Sequence, residues 1–161
     1  VKRVLLLIPI AALCAWGFAA WVVSPLQCNQ ALNTMRGRTR SAGTMVNSYR
    51  LALLVRGNLT DLRRLEGPCR TNAYLYTLEA ENEYLIGRKE ASIDALRRAL
   101  AVDQRPEIYA AIGATLFELG RVDEAVESYV IAARFNALIL EQIEAEQIRR
   151  EVQKRLQRPA S

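Results

Sequence analysis

Residues 106–137 read PEIYAAIGATLFELGRVDEAVESYVIAARFNA, and their spacing decides what the rest of the chain is built to do. Tyr109, Ile112, Gly113 and Leu116 recur at i, i+3, i+4 and i+7, the period of one helix face. Gly120 and Arg121 interrupt that helix. Ala125, Tyr129 and Ala132 then resume the helical period on a second one. Small residues at Gly113, Ala125 and Ala132 let the two helices approach closely, and Tyr109, Leu116 and Tyr129 fill the space between them.

The same pattern stands 33 residues upstream. Tyr76 matches Tyr109, Ala80 matches Gly113, Tyr84 matches Phe117, and Gly87-Arg88 matches Gly120-Arg121. Ser92 and Ala99 match Ala125 and Ala132, while Glu79 and Glu83 stand where Ile112 and Leu116 would be. The two copies resemble tetratricopeptide repeats, whose motif runs aromatic, aliphatic-Gly, aromatic, then Ala, aromatic, Ala; Ala137 departs from it, near where the family carries Pro. The resemblance implies an all-α fold, an α-solenoid in which each repeat buries its apolar face against its neighbours. It covers residues 73–105 and 106–137, and it implies a protein-binding scaffold rather than an enzyme.

In that family the first helix of each repeat lines the concave face. Carried over by the motif, this face presents Tyr74, Thr77, Glu81 and Tyr84, then Glu107, Ala110, Ala114 and Phe117. The Lys/Asn set with which some members clamp a partner's terminal carboxylate has no counterpart here, so an apolar helix or segment is the implied occupant.

The N-terminus is of another character. Val4 to Val23 is almost uninterruptedly apolar, and twenty such residues in a helix reach roughly 30 Å, the thickness of a bilayer's hydrocarbon core. Residues 1–23 are therefore expected to be a transmembrane anchor, the block being long for the core of a cleaved leader. Ala11, Ala15 and Ala19 recur every fourth residue and offer a smooth face to a neighbouring helix. Lys2 and Arg3 precede the block and residues 24–35 carry no charge, so the positive-inside rule points the N-terminus into the cytoplasm of a bacterial cell and the C-terminal domain into the periplasm.

Residues 24–44 read as a juxtamembrane linker, with Arg36, Arg38 and Arg40 as a basic collar facing lipid head groups. Residues 45–70 read as a degenerate helical pair: Met45 to Arg56, then a short helix capped by Asn58 and stopped by Gly67-Pro68. Cys28 and Cys69 bracket this region and would pair in an oxidising compartment; the alternative is two free thiols. Residues 138–161 read as one long polar helix capping the last repeat.

The chain has no histidine, which excludes a histidine base or metal ligand. No nucleophile–base pair, phosphate loop or metal-ligand cluster is present in the sequence, so no cofactor or small-molecule substrate is expected. The net charge of +5 is concentrated in residues 36–70, with eight arginines against Asp61 and Glu66, but no aromatic interleaving marks a nucleic-acid surface. Glu79, Glu81 and Glu83 are expected on a solvated surface. The functional expectation is an accessory subunit of a larger bacterial membrane assembly (respiratory, photosynthetic or secretory). A free-standing periplasmic chaperone or translocon helper, or a cytosol-facing receptor of reversed topology, are the rivals.

Overall fold

The computed structural model describes residues 24–157, and all of its regular structure is helical. Eight helices follow in order: α1 Ser24–Gly43, α2 Ser48–Cys69, α3 Ala73–Leu85, α4 Lys89–Val102, α5 Pro106–Glu118, α6 Val122–Phe135, α7 Ile139–Gln142 and α8 Glu146–Gln157. Consecutive helices pair as hairpins, α1 with α2, α3 with α4 and α5 with α6, and the hairpins stack side by side. The expected anchor at Val4–Val23, with its Ala11, Ala15 and Ala19 stripe, lies outside the described residues. Among the described residues no helix is long and apolar enough to cross a membrane.

The two central hairpins repeat one another down to the backbone. α3 and α5 each end at a glycine of positive φ, Gly87 at 78° and Gly120 at 75°, a conformation that a side chain resists. Each turn closes the same way. The N–H of Gly87 donates to Tyr84 O and that of Arg88 to Glu83 O, both at 2.9 Å. Gly120 and Arg121 repeat these bonds to Phe117 O and Leu116 O. Such a doubly bonded cap satisfies carbonyls that a helix end would otherwise leave open. The second helices also end alike, with Asp103 and Asn136 extended and their N–H groups bonded to Ala99 O and Ala132 O at 2.9 Å.

Packing within each hairpin follows a small-against-large rule. A Cβ built on Gly113 would stand 2.9 Å from the Tyr129 ring, so only glycine admits that ring. The equivalent positions of the first copy hold Ala80 and Leu96, both buried in the main core. One extra methyl on α3 is matched by a smaller partner on α4.

The expected linker at residues 24–44 is instead helix α1. Its polar composition hides a stripe. Cys28, Leu32, Met35, Thr39 and Ala42 recur at alternating steps of four and three, and all five are buried. The degenerate pair at 45–70 is also corrected, because residues 48–69 form one continuous helix capped by Asn47, whose side chain accepts from the N–H of Arg50 at 3.0 Å. Gly67-Pro68 does not stop it. Pro68 lies one residue from the C-terminus of α2, where a missing N–H costs one bond.

Asn58 therefore caps nothing. Its side chain is buried and donates to Asn82 Oδ1 at 3.0 Å, while Asn82 Nδ2 donates to Thr39 Oγ1 at 2.8 Å and to Leu78 O at 2.7 Å. This chain of bonds ties α1, α2 and α3 into one register. Replacing Asn82 with Ala strands the Asn58 amide and the Thr39 hydroxyl in a dry site, where an unsatisfied group costs about 1–3 kcal/mol. The expected loss is about 2 kcal/mol in urea unfolding, and an Asn82→Ala chain as stable as the parent would show that water reaches the network.

The expected single helix at 138–161 is broken. After the one turn of α7 the chain extends at Ile143, and α8 begins at Glu146. Ile143 is buried beside Ile148 and Val152 against Val126, Val130 and Ala133 of α6, and the guanidinium of Arg149 donates twice to Ile143 O.

Glu79 and Glu83 are not simply solvated. Glu79 accepts from Arg98 at 2.7 Å, and Glu83, though buried, faces Arg88 at 3.5 Å.

Candidate interaction groove

The first helices of the three hairpins, α1, α3 and α5, line one concave side. Between them lies a groove of about 590 Å³. Ala80, Leu96, Ile108, Ala111 and Ala114 give it a short, apolar floor. Thr39, Arg40 and Gly43 form the α1 wall; Thr77, Glu81 and Tyr84 stand on α3; Glu107 and Glu118 stand on α5. Two further hollows adjoin it. One of about 750 Å³ shares Thr77, Glu107 and Ile108 and is walled by Tyr74, Asn72 and the Cys28–Cys69 pair. Another of about 380 Å³ shares Ala114 and Glu118 and is lined by Phe117, Tyr129 and the α7–α8 break.

The structure thus brings together Thr77, Glu81, Tyr84, Glu107 and Ala114 of the expected concave face. Tyr74 stands in the neighbouring hollow, with the Arg36 guanidinium 5.8 Å above its ring. Ala110 is half-buried and lines none of these three hollows. Phe117 is half-buried and packs against both the main core and the C-terminal one, so it carries structure as well as surface.

The α1 wall is what the motif alone misses. Arg36, Arg38 and Arg40 stand on a helix rather than a linker: Arg36 covers Tyr74, Arg38 pairs with Asp61 of α2 at 3.0 Å, and Arg40 faces the groove. The buried stripe from Cys28 to Ala42 is the signal that places these arginines on a helix beside α3.

Local fields differ along the groove. Glu81 is reached by solvent, yet apolar crowding raises its carboxyl above the usual range, against the opposing pull of Arg36 and Arg40. Burial likewise pushes the Tyr74 phenol up, with Arg36 opposing it. At the far end Glu118 is held below the usual range, first by the hydrogen bond from Lys89 and then by that from Tyr84. Lys89 Nζ lies 2.8 Å from Glu118, and the bond to Glu118 raises the Tyr84 phenol. Tyr84 is thereby fixed at the groove rim with its ring face open. Among the described residues no cluster of three or more acidic or cysteine side chains could hold a metal ion.

Cys28 and Cys69 are joined by a disulfide, with Cα atoms 5.6 Å apart. It clasps the start of α1 to the end of α2, and both residues are buried in the main core. Beside it Asn72 caps α3 by accepting from the N–H of Tyr74, while its amide donates to Asn29 Oδ1 at 3.0 Å. The clasp thus fixes both the α1 wall and the first turn of α3.

The architecture has clear counterparts. TTC0263, a thermophilic TPR protein of Thermus thermophilus, superposes with a TM-score of 0.61 over 87% of this chain and 68% of its own, at 21% identity. This is a tetratricopeptide-repeat fold. Two crystal structures of MamA are also similar. One has a TM-score of 0.52 at 21% identity, covering 76% of this chain and 82% of its own. The other has a TM-score of 0.51 at 19% identity, covering 84% and 87%. No protein-family model matches the sequence, and no curated protein matches it. The groove between α1, α3 and α5 lies on the concave side of this fold.

Proposed function

We propose that the chain is a non-catalytic interaction scaffold, held at a membrane by its N-terminal apolar segment, whose concave groove receives a segment of a protein partner. The observation that carries this reading is the lining of the groove. A floor of alanines flanked by Leu96 and Ile108, with a fixed tyrosine at the rim, leaves room for another protein's side chains.

The finer reading is an accessory subunit of a larger bacterial inner-membrane assembly, its helical domain on the periplasmic side. The Cys28–Cys69 disulfide supports that side, because cytosolic thiols are kept reduced. Lys2 and Arg3 ahead of the apolar block support the same orientation.

The test is recovery of partners with the tagged full-length chain in mild detergent. Ala114 is solvent-exposed on the groove floor, so Ala114→Trp fills the groove without entering the core. One set of membrane proteins should co-purify in fixed ratio, and Ala114→Trp should weaken its binding about thirtyfold, the effect of one lost hot spot, with helix content unchanged. Undiminished recovery would remove the groove as the binding site. A broad spread of unfolded clients would replace the subunit by a chaperone.

A further inference from the structure

The helices α3 and α5 carry five acids: Glu79, Glu81, Glu83, Glu107 and Glu118. Three are matched within the chain, Glu79 by Arg98, Glu83 by Arg88 and Glu118 by Lys89. Among the described residues Glu81 and Glu107 form no ion pair, and both line the groove. The cations that act on Glu81 are on α1, and Arg105, which shares a hollow with Glu107, is paired with Asp103. Arg36 is engaged over Tyr74, and Arg40 acts on Glu81 only at a distance.

A partner that covers the apolar floor must take water away from both carboxylates. An ionised carboxylate stripped of water without a counter-charge is strongly unfavourable, whereas one met by a cation recovers much of that loss. With the two unpaired acids Glu81 and Glu107 against Arg40, the groove lining also repels an acidic segment.

We propose that the groove's partner presents an apolar side chain next to a lysine or arginine, the apolar group lying on Ala111 and Ala114 and the cation between Glu81 and Glu107. This rests on the reading of the groove as the partner site. It names what that partner must bring: a basic amphipathic segment, preferred over neutral ones and more strongly over acidic ones.

The experiment uses the full-length chain in a neutral detergent and three fluorescent helix-forming peptides, blocked at both ends. They share one leucine stripe and differ only in having Lys, Gln or Glu beside it. The lysine peptide should bind about tenfold more tightly than the glutamine one, a difference of about 1.4 kcal/mol, and the glutamate peptide should be weakest. In the Glu81→Gln, Glu107→Gln double variant the lysine and glutamine peptides should become equal. Arg40→Gln, which removes a competing cation, should tighten the lysine peptide further. Ala114→Trp should abolish binding of all three. Equal binding of the lysine and glutamine peptides to the parent chain overturns the charge inference, as does failure of every peptide to bind. The groove reading itself falls only if Ala114→Trp leaves binding unchanged.

Discussion

A chain with both Cys28 and Cys69 replaced by Ala is expected to lose about 4 kcal/mol of stability. The two half-cystines are 41 positions apart in sequence, and closing a loop of that length removes conformational freedom mainly from the unfolded chain. Both sulfurs also lie in the main core beside Leu32, Met35 and Leu62, so the alanines leave a gap there too. The melting temperature should fall by on the order of 10 °C, and reductant should lower the parent chain towards the same value. The loss should begin locally, with amide exchange rising first in α1 and in the first turn of α3, which Asn72 ties to Asn29. A parent chain that melts identically with and without reductant would mean that these thiols are not linked.

The second large effect is expected at Gly113. A leucine there places its first carbon 2.9 Å from Cδ2 and 3.0 Å from Cε2 of Tyr129, and three more carbons have to follow. The ring cannot swing away freely, because Tyr129 packs on its inner side against the C-terminal core. Overpacking of this kind costs about 3 kcal/mol, read as an earlier urea midpoint with an unchanged slope. The first repeat supplies its own control. Gly113→Ala combined with Tyr129→Leu recreates the Ala80 and Leu96 pairing and should recover most of what Gly113→Ala alone loses. If Gly113→Ala alone is neutral, α5 and α6 do not approach as closely as described.

The two central hairpins were legible in the sequence because their determinants are local and periodic. Gly87 and Gly120 mark turns that only a positive φ can close, and Ala125, Ala132 and Ala99 mark close helix contacts. The 33-residue shift carries one hairpin onto the other. The α1–α2 hairpin was not legible, because its determinants are tertiary. Asn58 reads as a helix cap, and only Asn82 from another helix makes it, together with Thr39, an interior residue. Gly37 and Gly57 interrupt neither helix, and beyond their own helix turns nothing lies within 4 Å of where a side chain would begin. Both stand on the outer faces of continuous helices. The C-terminal break was hidden for a similar reason, since Ile143 fits a helical stripe and leaves it only because α6 offers a better apolar surface. At the groove, the repeat motif located the α3 and α5 walls. It could not supply Arg40, which belongs to a hairpin outside the motif.

The disulfide also decides how the chain bears load. A pull applied at the N-terminal side of α1 reaches Cys28 and crosses at once to Cys69, so tension bypasses everything between them. That bypassed stretch, roughly 140 Å when fully extended, stays slack however hard the ends are drawn apart. Force enters the repeats at α3 instead. If the apolar N-terminal segment is tethered and the pull is exerted on α5, the α1 wall with Arg40 rides outside the covalent line of tension and keeps its shape.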